Sequence, residues 1–417
     1  MLSFYSLKEW YKWLKRTPWS LKWFILIILS KPIIDLFWYV KSSGFLSPGQ
    51  LTGFLVFALS ISYWLKAKKN YTRATTRIYF NVFATLLVLN ALVITIIFLS
   101  TSSIGEFLRI TLPVFMFLYV KSYVKSYETV NGIFTTYIIS SVLPLSMLVY
   151  EGIIGPIRVV ELAESRGGGY RLTGLYADLF NYMSYIIGNF FIFATVFIEN
   201  SLNKKKNKLT WTLIVLSITI FGLIGMQHQA SWGVFAALGL MFLFAQTATG
   251  RGKTTLVISI VLLILFSGIL WDTVLSPLFS KEIEIVEGSE DQEKAFNGRI
   301  FRWQFYFNQW GQMSPVYQFF GVGISGKPNA PVMMSGGMHS DYVRFLFSTG
   351  IIGLISFVFF YVSLLVAGLK NNGALRYFTL GSVIILMLYG ITSNPFGSSG
   401  ALQYLTLVGL AIASHKK

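Results

Sequence analysis

The sequence predicts an all-α membrane protein of about twelve transmembrane helices, and three observations predict it. Hydrophobic residues make up 54% of the 417-residue chain and charged residues only 12%, with a mean hydropathy of +0.62. A soluble chain carries roughly 25% charged residues. The deficit marks a bilayer as solvent, because an ionised side chain is costly in hydrocarbon. Apolar runs of about 20 residues, the length that spans the hydrocarbon core, recur along the chain. Finally, basic residues gather in alternate connections between those runs.

The elements follow in order. The segment LKEWYKWLKRTPWSLKW, with Lys12, Lys15, Trp10 and Trp13, reads as an interfacial amphipathic helix anchoring the first span. The first apolar run begins near Leu21 without a small-x-small cleavage site, so no cleaved signal peptide is expected. Spans are expected near 21–40, 50–65, 78–99, 104–121, 131–150, 176–198, 209–226, 231–248, 254–271, 342–368, 375–392 and 399–414. With twelve spans, one set of connections holds Lys8, Lys12, Lys15, Arg16 and Lys22, then Lys66, Lys68, Lys69, Arg73 and Arg77, then Lys121 and Lys125. The same side receives Lys204, Lys205, Lys206 and Lys208, then Arg251 and Lys253, Lys370 and Arg376, and Lys416 and Lys417. The positive-inside rule makes that side cytoplasmic, with both termini inside.

Two connections on the other side are long, 151–175 and 272–340. The chain therefore divides into helices one to nine (1–271), a large outer loop (272–340) and helices ten to twelve (341–417). Long loops in membrane proteins tend to be functional. No internal repeat is visible.

Composition excludes several chemistries. There are no cysteines, so disulfides, thiolate catalysis and zinc–thiolate or iron–sulfur sites are ruled out. Three histidines, His228, His339 and His415, are too few for a multi-histidine metal site. No Walker-type phosphate loop, HExxH or paired-aspartate metal motif occurs. The net charge of +17 follows from cytoplasmic loops, and no nucleic-acid partner is expected.

Three outer segments hold candidate chemistry. In NGRIFRWQFYFNQW, residues 297–310, Arg299 and Arg302 fall on one helical face. Two guanidinium forks there suit phosphate oxygens, and the same pattern suits a surface helix resting on lipid headgroups. In SRGGGYRLTGL, residues 165–175, Arg166 and Arg171 lie in a glycine-rich loop whose amides can cradle an anion, or which merely connects two spans. In MHSDYVRF, residues 338–345, His339 and Asp341 stand at the mouth of a span that Arg344 begins. Histidine acts as a general base near neutral pH, while a lone histidine also serves structure. Lys31 and Asp35, four apart in the first span, are placed to pair with each other. His228 falls in a short outer turn and reads as structural.

Together these segments resemble the O-antigen polymerase and O-antigen ligase superfamily of bacterial membrane glycosyltransferases. The resemblance rests on His339-Ser340, then nine intervening residues, then Gly350-Ile351-Ile352-Gly353, on Gly298-Arg299 with Trp303, and on Phe320-Gly321-Val322-Gly323. Arg171-Leu172-Thr173-Gly174 and the SKPIID of the first span also look like family patterns. Many members carry Ser-Arg between the seventh and eighth spans, where this chain has Ala230-Ser231-Trp232.

The resemblance implies a GT-C-like bundle in the inner membrane with a periplasmic site. The implied donor is an undecaprenyl-pyrophosphate-linked oligosaccharide, used without metal or other cofactor. Arg171, Arg299, Arg302, Arg344 and Arg166 would bind pyrophosphate or glycan, and His339 with Asp341 would handle the acceptor proton. Joining of repeat units is the expected reaction, and transfer of finished glycan by a ligase is the alternative. A chain-length regulator and a flippase are the implied partners. From another class, a transporter or flippase would show two similar halves, which this chain lacks.

Overall fold

The structure is a computed structural model. It describes residues 1–37, 48–67, 77–97, 101–160, 170–176, 179–203, 209–247, 279–289, 295–322, 338–393, 395–396 and 400–414, with isolated positions 257, 268, 271–272, 276 and 291. The described residues form helices and no sheet. The predicted span at 254–271, Arg166 and the glycine-rich stretch 323–337 lie outside them, wholly or nearly so.

Helix α1 (Leu7–Arg16) begins at a capping box, in which Ser6 accepts from the Glu9 amide while the Glu9 carboxylate accepts from the Ser6 amide. Its Trp10 Nε1 donates to Thr136 Oγ1 at 2.9 Å, and Trp13 is buried against Gly132. Lys8, Lys12, Lys15 and Arg16 stay exposed. That is the arrangement expected of a helix lying flat on one end of a bundle.

Helices α2 (Trp19–Ile34), α3 (Pro48–Ala67), α4 (Arg77–Ile97), α5 (Thr101–Tyr123), α6 (Tyr127–Ser140), α7 (Val142–Ile154), α8 (Leu179–Leu202), α9 (Leu209–Met226) and α10 (Gln229–Thr247) follow. Three helices then lie within the segment 272–340: α11 (Ser280–Val286), α12 (Ala295–Gly311) and α13 (Pro315–Phe320). Helices α14 (Asp341–Leu369), α15 (Gly373–Thr392) and α16 (Ala401–Ala413) complete the chain.

Among the described residues, six segments are long and apolar enough to cross a membrane: Arg77–Ile97, Tyr127–Ile154, Leu179–Leu202, Gln229–Thr247, Asp341–Leu369 and Gly373–Thr392. The twelve expected spans include 254–271, which lies almost wholly outside the described residues. Leu51–Ser62, Leu213–Met226 and Ala401–Ala413 are apolar but shorter. Helix α16, at 13 residues, reaches about 20 Å of the roughly 30 Å of hydrocarbon. It is buried along nearly its whole length and packs against α15, α5 and α8.

Lipid gives apolar helices no hydrophobic reason to associate, so close packing must hold them together. Phe83, Phe345, Phe357 and Phe396 interlock between α4, α14 and the segment before α16, with centroids from 4.5 to 5.6 Å apart. Small residues admit large ones elsewhere. Gly188 receives the Tyr137 ring, and Gly381 receives Phe191.

A second kind of contact docks the outer segment. Helix α14 kinks at Gly350, where φ is +65°. A Cβ there would sit 2.2 Å from Phe319 O, and one on Gly321 (φ +85°) would sit 2.5 Å from Ser348 O. Backbone therefore meets backbone between α13 and α14. Val322 N donates to Phe347 O at 2.8 Å, and Asn90 Nδ2 on α4 donates to both Phe320 O and Ser348 O. Gly321 and Gly350, one from each sequence pattern, are required by this contact.

Candidate functional site: a basic cavity at one end of the bundle

The cavity begins with a fastened loop. Glu151, buried in the last turn of α7, accepts from Gly174 N at 2.9 Å and Ile157 N at 3.2 Å through Oε1, and from Tyr182 OH at 3.3 Å through Oε2. Gly174 takes φ +53° beside the Tyr182 ring. Leu172 N donates to Gly225 O at 3.0 Å, and the Leu172 side chain fills the space that a Cβ on Gly225 would occupy. Arg171 N donates to Val160 O at 2.9 Å. Each residue of the Arg-Leu-Thr-Gly segment is thus tied through its backbone or buried, and the Arg171 side chain is left to face the turn after α9, with Nη2 3.5 Å from Gln227 O.

Helix α12 brings the next two guanidiniums. Tyr306, fully buried, packs with Met338, Val343 and Phe347 and seats α12 on the start of α14. Trp303 Nε1 donates to Met338 O at 3.2 Å. On the far side of His339, Ser340 Oγ donates to Gly390 O at 3.1 Å. His339 is therefore held from both neighbours while its own side chain is exposed. Its φ is +44°. A non-glycine residue in the left-handed region carries strain that surrounding contacts must maintain, and such residues cluster at functional sites. The other described non-glycine residue with positive φ is Gln227, at +46°.

These pieces converge. A cavity of about 200 Å³ is lined by Arg171, Arg299, Arg302, His339, and the turn Gln227, His228, Gln229 and Ala230. Both strained residues are in its wall. Three guanidiniums supply positive charge, and the α10 N-terminus adds its partial positive charge. Gln229 Nε2 donates to Glu282 Oε2 at 3.4 Å.

Four of the residues expected from sequence are brought together: Arg171, Arg299, Arg302 and His339. Asp341 and Arg344 are not in the cavity lining. Both are buried in the first turn of α14, where Asp341 Oδ2 accepts from Phe396 N at 2.8 Å. Lys31 and Asp35 form an ion pair at 2.5 Å within α2. Arg166 lies outside the described residues.

His228, which the sequence places in a short turn and reads as structural before catalytic, is also part of the cavity. It lines the cavity, its Nδ1 is 2.6 Å from Ser231 Oγ, and it stacks over Tyr389 with centroids 6.4 Å apart. Burial, with Arg299 and Arg171 nearby, pushes its pKa down to about 4, so the ring is neutral at pH 7. The available signal was a polar Gln-His-Gln turn between two apolar runs on the same side as the arginine loops.

The arrangement can hold a small polyanion, present a neutral imidazole to it, and place a second imidazole beside it. No curated protein matches the sequence. Residues 213–358 match the family described as O-antigen ligase, a stretch that includes His228, Arg299, Arg302 and His339 and stops short of Arg171. That match falls on the segment that builds most of the cavity, and it supports the likeness of this chain to the O-antigen ligase and polymerase superfamily.

Proposed function

We propose that this protein joins undecaprenyl-pyrophosphate-linked oligosaccharide repeat units into surface polysaccharide, by glycosyl transfer on the periplasmic face of the bacterial inner membrane. The observation that carries this reading is the convergence of Arg171, Arg299, Arg302 and His339 on one cavity from three separate parts of the chain. At about 200 Å³, the cavity is smaller than the roughly 300–1,000 Å³ that encloses a drug-sized ligand. It fits the pyrophosphate end of a donor, with lipid and glycan outside.

The acceptor hydroxyl oxygen attacks the anomeric carbon. The bond from that carbon to the pyrophosphate oxygen breaks, and its electron pair leaves with the lipid pyrophosphate. The hydroxyl proton passes to the His339 imidazole. Arg171, Arg299 and Arg302 meet the growing negative charge, the interaction that matters most to such a transition state. Asp341 and Arg344 act from below, by fixing the turn that carries His339. The basic connections lie in the cytoplasm, with both termini.

The family description favours a second reading, a ligase that transfers finished glycan to lipid A core or protein. A deletion strain separates the two, with surface glycan resolved by size and carrier-linked glycan extracted alongside. Single repeats at the surface support the polymerase. Long chains retained on the carrier support the ligase. Wild-type patterns in both fractions refute glycan assembly altogether.

A further inference from the structure

We propose that His228 is a phosphate-contacting residue of the cavity, its imidazole locked by Ser231 and Tyr389 as the Nε2–H tautomer so that Nε2 donates a hydrogen bond to a bound pyrophosphate oxygen. This inference deepens the proposed function and rests on it.

The argument is one of hydrogen-bond satisfaction. His228 Nδ1, Ser231 Oγ and Tyr389 OH form a chain, with steps of 2.6 Å and 2.8 Å. Ser231 and Tyr389 are fully buried. Ser231 has one proton to give and two neighbours to serve. If it donated to Tyr389, the phenol proton would have no acceptor among the described residues, and a buried unsatisfied donor is costly. If Tyr389 donates to Ser231, the serine proton is free to go to Nδ1, and every group in the chain is satisfied. Nδ1 is then the acceptor, and the ring proton resides on Nε2.

Nε2 has no hydrogen-bond partner among the described residues, and the residue lines the cavity. The stack on Tyr389 fixes the ring plane. The groups around it are Arg171 from the loop before α8, Arg299 and Arg302 from α12, His339 before α14, Tyr389 on α15, and Glu282 on α11 through Gln229. With guanidiniums on two sides the ring stays neutral in the empty cavity, as its lowered pKa also indicates. A neutral donor adds a directed contact without further charge repulsion.

The test uses the full-length protein in detergent micelles, ¹⁵N-labelled at its three histidines. His228→Gln assigns the His228 resonances by their loss. The imidazole nitrogen shifts are recorded from pH 5.5 to 8, with and without inorganic pyrophosphate, and binding is followed independently by ³¹P titration. The expected result is a single Nε2–H tautomer whose Nε2 resonance moves on saturation, and which becomes a mixture in Ser231→Ala and Tyr389→Phe. His228→Ala should weaken pyrophosphate binding by about tenfold, the worth of one hydrogen bond to a charged group. His228→Gln, whose amide N–H replaces the donor, should stay within about threefold of wild type. An Nδ1–H tautomer overturns the proposal. So does pyrophosphate that binds without moving Nε2, and in that case the cavity keeps its assigned ligand. If Arg171→Ala/Arg299→Ala binds pyrophosphate as wild type does, the proposed function falls as well.

Discussion

Arg171 and Arg299 approach the cavity from loop and helix, and each offers a planar fork that lysine lacks. Arg299→Ala is expected to lower polymer output by about 10²–10³-fold at unchanged protein level, and Arg299→Lys to recover only part of it. Size-resolved surface glycan from complemented deletion cells measures both. His339→Ala should fold normally, because the side chain is exposed, and lose about 10²–10⁴-fold in rate. Glu151 acts at a distance. Its Oε1 accepts two backbone N–H groups of the Arg171 loop, and losing it costs about 1–3 kcal/mol for each donor left buried. Glu151→Ala should therefore speed hydrogen exchange at Ile157 and Gly174, whereas Glu151→Gln, which keeps the acceptor, should not. The arginines and His339 were legible in the sequence because cationic forks and a histidine beside apolar spans are conspicuous. Glu151 was not, because a single carboxylate near a helix end looks solvated until the loop is seen folded over it.

Among the elements, the meeting of α13 and α14 decides where the outer segment sits. Gly350→Ala would place a methyl group 2.2 Å from Phe319 O at a φ of +65°. Neither backbone can retreat while Asn90 holds both. The variant is expected to release α12 and α13 to limited proteolysis in intact membranes and to lose activity with them. Gly233→Ala is the control. Its Cβ meets open space on α10, and alanine improves helix propensity by about 1 kcal/mol, so protease resistance should be unchanged. The glycine spacing was readable as a pattern before its reason was. Sequence shows that two glycines recur, but only the folded chain shows that they face each other across 29 residues of sequence separation, from Gly321 to Gly350.

For the whole molecule, the absence of cysteine makes topology directly measurable. Ser289→Cys, on the loop side, should react with a membrane-impermeant maleimide in intact cells, and Lys125→Cys should react only after lysis. Labelling of Lys125→Cys in intact cells would invert the proposed orientation. Stability carries a pH signature too. The folded pKa of His228, about 4, lies below the unfolded value of about 6.5, so the unfolded chain binds more protons between those limits. The contribution is complete above about pH 6.5 and is lost as pH falls toward 4. Thermal stability in detergent should decline over that window, less steeply in His228→Gln. Helix positions were legible because apolar runs report them. The surroundings of a helix were less so, because α16 is as apolar as a span yet only 13 residues long and enclosed by other helices. An apolar run does not distinguish lipid from protein as its surroundings.

The size of the cavity has a consequence for how such a protein diversifies. If the cavity takes only the leaving pyrophosphate, as proposed, it is indifferent to which sugars are attached to it. Glycan preference must then be written on the rim, in α11 and at positions of α12 other than Arg299 and Arg302, and can drift there while the cavity lining stays fixed. Exchange of rim segments between relatives would retarget the product, and surface antigens could change from strain to strain without any need to reinvent catalysis.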